Sequence, residues 1–204
     1  GSGSVKCKLW ASFLEIADEK IRDLLRVDAD DDTPLKVRGD DMAHGKALHG
    51  AVVERVSTAP ELSSMIERAL ERRNVGQTDH NEHSSRSHAL LTLTLERRSA
   101  QKSQTTGIHL LDLAGSESFN STKPHMQINV GLLALGRVLR ALSTGNRTHV
   151  PYRDSVLTHL LQGLLSGSCS MAMLACVNPG AEQLGETTNV IEYARTATSI
   201  TTRA

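Results

Sequence analysis

Three hydroxyls and a guanidinium fall within four residues at Ser84-Ser85-Arg86-Ser87, inside the phrase Asn81-Glu82-His83-Ser84-Ser85-Arg86-Ser87-His88. Short hydroxyl side chains ligate Mg2+ or touch a phosphoryl oxygen, and they let go when that group leaves. A second phrase, Asp112-Leu113-Ala114-Gly115-Ser116-Glu117, closes an apolar run. An Asp at the carboxyl end of a buried strand sits where open α/β sheets bind ligands, and it can hold Mg2+ through a water. Gly115 allows a backbone N–H to approach a phosphate closely. Arg86 and Glu117 have opposite charge and would close the two loops as an ion pair. Taken singly, the first phrase also fits a polar loop entering a strand, and the second an ordinary strand end. No G-x-x-x-x-G-K-[ST] phosphate loop occurs in the sequence.

The elements that must position these loops are read from periodicity. Val5 to Ile16 alternates as a long strand, and Asp18 to Leu25 reads as a turn and short helix carrying Ile21, Leu24 and Leu25. Asp28 to Asp32 is an acidic loop. A calcium loop would need Gly at its sixth position and Glu at its twelfth, where this chain has Thr33 and Gly39. Thr58-Ala59-Pro60-Glu61 is a capping-box start for a helix with the stripe Leu62, Met65, Ile66, Ala69 and Leu70. Leu91, Leu93 and Leu95 alternate as a strand. Gly107 to Leu113 is nearly all apolar and predicts a strand covered on both faces. Ile128, Leu132, Leu135, Leu139 and Leu142 trace a helix face, and Ser155 to Leu165 a further helix. Met171 to Val177 predicts a buried strand closed by Asn178-Pro179-Gly180. Glu186 to Ile200 predicts a last helix with Val190, Ile191, Ala194 and Ala197 on one side. Strands alternating with helices argue for an α/β layered domain.

With 204 residues, 39% hydrophobic and 23% charged, the chain has the composition of one soluble domain with a real core. Acidic and basic residues balance at 23 each, so no global field draws it to nucleic acid or membrane. Aromatic residues are only 2%, which disfavours base-stacking surfaces. Cys7, Cys169 and Cys176 are odd in number and lack zinc or redox spacing, and they read as reduced intracellular thiols. No apolar run approaches the roughly 18 residues a bilayer span needs. His80 and His83 lie three apart without a further Cys or His at ligand spacing, which argues against a zinc site. Trp10, Tyr152 and Tyr193 read as packing residues. Gly1 to Ser4 looks like a linker or tag remnant.

In this order the phrases resemble the kinesin motor domain, over nearly the whole chain. Ser12-Phe13-Leu14-Glu15-Ile16 with Glu19-Lys20-Ile21-Arg22-Asp23-Leu24-Leu25 is similar to the family's "SF-x-EI…EKI-x-DLL" segment. Asn81 to His88 resembles switch I and Asp112 to Glu117 switch II. His149-Val150-Pro151-Tyr152-Arg153-Asp154-Ser155, followed by Leu157-Thr158, resembles the tubulin-facing segment. Asn178-Pro179 and the helix from Glu186 resemble the end of the motor core. The resemblance implies a three-layer α/β fold, P-loop NTPase-related, with a mostly parallel or mixed central sheet flanked by helices. It covers residues 5–204 as an incomplete motor domain. It also implies ATP and Mg2+ as cofactors, microtubules as partner and a cytoplasmic, cytoskeletal location. Ser85 would ligate Mg2+, Asp112 would reach it through water, and Ser87 would belong to the same nucleotide-binding loop. Gly115 would sense the γ-phosphate, Arg86 and Glu117 would form a gate, and Ser84 and Asn81 would orient the attacking water. Arg153, Arg137, Arg140 and Arg147 would be the cations left to meet acidic tubulin.

The sequence also departs from the family. The absent phosphate loop and first strands predict that these 204 residues are part of a longer polypeptide, or that a partner segment completes the sheet. One such strand would lie between those at Leu110 and Met173, leaving two apolar edges open without it. Ser118 to Gln127 is several residues short, and Val130 and Gly131 replace the family's Lys and Ser. Val156 and His159 replace a Lys and an Arg. These losses of cations suit a rival reading, a motor-derived module that binds tubulin or another cytoskeletal protein without hydrolysis. A small GTPase is disfavoured, because no N-K-x-D phrase is present.

Overall fold

The computed structural model describes residues 5–27, 35–37, 47–75, 87–115, 130–145 and 149–200. Gly1–Ser4, the Asp28–Asp32 loop, His80, His83, Asn81, Ser84, Ser85, Arg86, Glu117, Ser118–Gln127, Ile128 and Arg147 lie outside the described residues.

Strand β1 (Lys6–Ala17) is the spine of the sheet, with β2 (Lys20–Asp23) and β3 (Glu54–Val56) along one edge and β4 (His88–Arg98) along the other. Strand β5 (Ser103–Asp112) continues the sheet beyond β4. All four pairings are antiparallel, which corrects the expected mostly parallel sheet. Connection length explains part of this. Asp18-Glu19 joins β1 to β2 and residues 99–102 join β4 to β5, and parallel neighbours need crossovers of a dozen residues or more.

The segment Lys20–Asp23 is a strand, where the spacing of Ile21, Leu24 and Leu25 predicted a short helix. Asp18 and Glu19 adopt φ of 49° and 59°, the left-handed pair of a tight hairpin turn, so the chain folds straight back onto β1. The N–H of Leu24 bonds the Phe13 carbonyl at 2.9 Å. Glu19 then accepts the N–H of Val156 at 2.6 Å, tying the turn to the start of a helix 137 residues away.

Period-two alternation sends β1 side chains to two cores. Ala11 and Phe13 pack with Leu24, Leu25, Val56, Ala89 and Leu91 beneath Met65 and Ala69 of α1 (Ala59–Val75). Leu14, Ile16 and Leu90 face the other way. They meet Leu135, Val138, Leu139 and Leu142 of α2 (Val130–Ser143) and Leu157, Leu160 and Leu161 of α3 (Val156–Gly163). The result is a mixed α/β domain, a sheet flanked by helices. At the α1 start Thr58 Oγ1 accepts the Glu61 N–H at 3.3 Å as expected, and Glu61 reaches one residue past the cap to accept the Ser57 N–H at 2.7 Å, a variant of the capping box. Ser155 caps α3, accepting the Thr158 N–H at 3.1 Å, and the helix runs on into a wider turn at Leu164–Ser168. The last helix, α4 (Leu184–Thr198), rests on α2 through Tyr193. A Cβ at Gly136 would come within 3.2 Å of that ring, so glycine lets the two helices approach. Ile191, expected on the packed side, is exposed.

Two expected buried strands are corrected. β5 is the outer strand of the described sheet, and Ile108 and Leu110 are 58% and 55% exposed, because α1 covers β1 and β4 and stops short of β5. Met171–Val177 forms no strand, and Met171, Met173, Leu174 and Val177 are exposed. Among the described residues no strand pairs the outer edge of β5 or the backbone of Met171–Val177, and apolar character alone does not make a strand.

Candidate functional site

Register places the ends of the two chemical phrases together. Ala89 of β4 sits opposite Asp112 of β5, so the residue entering β4, Ser87, and the carboxyl end of β5 converge at one rim of the sheet. The Asp112 side chain is 76% exposed there. Beyond it, Ala114 is buried, and its N–H donates to Nδ1 of His88 at 3.0 Å. That bond makes Nδ1 an acceptor and fixes the path of the chain as it leaves β5 toward Gly115, which is half-buried.

Ser87 is 1% exposed, and its hydroxyl donates to Oε1 of Glu15 at 2.8 Å. The Arg73 guanidinium donates from Nη2 to both the carbonyl and Oγ of Ser87, at 3.1 and 3.2 Å. Its Nε lies 3.5 Å from Glu15 Oε1, and its Nη1 lies 3.5 Å from Asp112 Oδ2. Arg22 stands 3.7 Å from the other Glu15 oxygen. In this arrangement the Ser87 hydroxyl faces the interior.

Glu15 and Arg73 carry no role in the sequence reading. A signal for Glu15 exists: it shares the inward face of β1 with Ala11 and Phe13, where the alternation calls for an apolar residue. A buried carboxylate there needs a buried cation. Nothing local marks Arg73 among the basic residues of the last turn of α1.

The candidate tubulin-facing arginines gather elsewhere. Arg137 and Arg140 are exposed on α2, and Arg153 is exposed on the one-turn helix Tyr152–Asp154. Arg137 bridges to Asp154 at 3.1 Å, joining the two elements into one surface. Val130 is 45% exposed at the start of α2, while Val156 and His159 are half-buried.

The kinesin motor domain family matches residues 2–200. The chain is 39% identical to the chromosome-associated kinesin KIF4 of Xenopus laevis over 94% of its length, covering 17% of that protein. It is 36% identical to the kinesin-like protein KIF7 of Mus musculus, over 97% of this chain and 16% of that one. With the kinesin-like protein KIF27 of Rattus norvegicus it shares 34% identity over 98% of its length and 16% of the relative's. The chain thus spans about a sixth of the length of these curated relatives. Matched to the motor-domain model along nearly all its length, and 39% identical to a kinesin over 94% of it, the chain belongs to the kinesin family.

Proposed function

We propose that these residues form the switch-bearing part of a microtubule motor, and that the polypeptide carrying them hydrolyses ATP with Mg2+ in step with microtubule binding. One observation carries the reading: the β4–β5 register brings the base of the first loop and the Asp112 carboxylate to the same rim of the sheet. Among the described residues no cluster of three or more His, Cys, Asp or Glu could hold a metal by itself. A single exposed carboxylate nonetheless suits Mg2+, which keeps its waters and binds through one or two carboxylates plus substrate phosphates. Bound with ATP, Mg2+ would neutralise charge developing on the phosphoryl oxygens.

The chain's own residues supply positioning. By the resemblance, Ser85 would ligate the ion, Asp112 would reach it through water, and Ser87 would belong to the same nucleotide-binding loop. The Gly115 N–H would sense the γ-phosphate. Arg86 and Glu117 would form the gate, and Ser84 and Asn81 would orient the attacking water. Arg153, Arg137, Arg140 and Arg147 would meet acidic tubulin, and the protein would work at the cytoskeleton in the cytoplasm. No described helix is long and apolar enough to cross a membrane. The test is ATP turnover by the full-length polypeptide with and without microtubules. Stimulated turnover, abolished by Glu117→Ala, is the expected result.

A second reading, a non-hydrolysing module that binds tubulin or another cytoskeletal protein, is favoured by the lost cations. Val130 is exposed where the family has Lys, and the charge of Arg137 is offset by Asp154. Microtubule binding by a full-length protein inert toward ATP would select it.

A further inference from the structure

We propose that the open edge of β1 at residues 6–8 is a docking site for an extended acidic peptide of a partner protein, which adds to the sheet as a further strand. The site is separate from the nucleotide rim. Asp112 stands opposite Ala89 at one end of the β4–β5 pair, and Arg98 stands opposite Ser103 at the other. At about 3.3 Å per residue the two ends lie roughly 30 Å apart.

Two features meet at this edge. The first is free backbone. β3 pairs β1 only at Leu9, Trp10 and Ala11, and β2 only from Leu14 onward, while β4 pairs Lys6, Cys7 and Lys8 from the other side. Among the described residues no strand takes the backbone groups of residues 6–8 that point toward the β3 side. The second is charge. The chain as a whole is neutral, yet Lys6, Lys8, Arg97, Arg98 and Lys102 crowd this end of the sheet, all exposed. Glu96 is the one acid in residues 95–106. Lys6 lies directly opposite Arg98, and like charges in that position cost stability. None of the five cations forms an ion pair among the described residues. Positive charge is thus held in place at this edge with nothing to offset it.

An acidic strand fits both features. Alternation puts Lys6 and Lys8 on one face of β1, about 6.6 Å apart, the spacing at which an extended peptide presents every second side chain. Carboxylates at alternate positions then stand beside the two lysines, while main-chain bonds join the strands. Lysines on an exposed edge keep off neutral and basic strands. Toward an acidic strand the same charges attract, so the edge selects its partner by charge. A nucleic acid would meet the cations and leave the strand edge unused.

The test uses the full-length polypeptide and follows binding of a fluorescein-labelled, alternating Glu-Val octapeptide by anisotropy. The expected result is saturable binding that weakens as salt rises from about 50 to about 300 mM. Lys6→Gln/Lys8→Gln should bind about three- to tenfold more weakly. A Glu-Pro octapeptide has the same charge but is a poor strand, and should also bind more weakly. Arg98→Gln should weaken binding while raising the unfolding temperature, because it relieves the pair with Lys6; damage to the fold would lower both. The proposal is overturned by any of four results: no saturable binding, unchanged affinity in the lysine double variant, equal binding of the Glu-Pro peptide, or a lower unfolding temperature in Arg98→Gln. Tighter binding of an oligothymidylate of equal charge overturns it too, in favour of a nucleic acid.

Discussion

Ser87 donates its hydroxyl to Oε1 of Glu15 at 2.8 Å, joining residues 72 positions apart at the centre of a buried polar cluster. Arg73 completes it at 3.5 Å from the same oxygen. Removing one partner of a buried ion pair leaves the other uncompensated, which costs more than the pair's net worth. Glu15→Ala is expected to destabilise the protein by about 3–5 kcal/mol. Glu15→Gln, which keeps an acceptor for Ser87, should cost visibly less. Urea unfolding of the two variants measures the difference, and equal losses would contradict the account of the cluster.

A second prediction concerns the β1–β2 turn. Glu19 holds φ of 59° and accepts the Val156 N–H at the start of α3. That N–H is one a helix leaves unsatisfied, so Glu19→Ala should cost about 1 kcal/mol, in the range of a lost cap. Glu19→Gly loses the same contact but relieves the left-handed backbone, and should cost less. Thermal unfolding ranks the two; the reverse order would contradict the backbone argument, and no loss in either variant would show that the contact does not matter.

How much of this was legible is clearest at particular residues. The β1 alternation, the Thr58–Glu61 helix start and the helix from Ser155 depend on neighbours in sequence, and the structure shows all three. Lys20–Asp23 was misread because Ile21, Leu24 and Leu25 have helical spacing, while the deciding signal is a turn made by Asp18 and Glu19 without glycine. Met171–Val177 has a strand's composition, but a strand exists only beside another. At the site, Asp112 was visible as an acid closing an apolar run. Arg73 was invisible, because its place is set by a buried carboxylate 58 positions away.

The outer face of β5 supplies a third prediction. Ile108 and Leu110 are exposed on an outer strand with no lysine along it. Open apolar edges of this kind pair with other chains. Ile108→Lys and Leu110→Lys should lower self-association of the 204-residue chain at little cost to stability. Sedimentation velocity reads the first effect and urea unfolding the second. Unaltered association would place the sticky surface elsewhere.

A fourth prediction is a pH dependence. Burial lowers the pKa of His109 below its ordinary value of 6.5, its Nδ1 lying 3.1 Å from Thr92 Oγ1. The unfolded chain then binds more protons than the folded one between the two values. Stability therefore rises with pH through that window and is lost as pH falls below about 6.5. His109→Gln should flatten this part of the profile. Urea midpoints at about pH 5.5 and about pH 7.5 test it, and an unchanged slope in the variant would remove His109 as the cause.

The central claim is that the hydroxyl-rich loop and the end of β5 share one Mg2+–nucleotide site, and a ligand swap at Ser85 tests it most directly. Sulfur is a poor partner for Mg2+ and a better one for softer metals. The account predicts that Ser85→Cys in the full-length polypeptide loses microtubule-stimulated ATP turnover with Mg2+ and regains part of it with Mn2+ or Cd2+. Equal turnover by wild type and variant in Mg2+, or a wild type with no turnover in any metal, would contradict it.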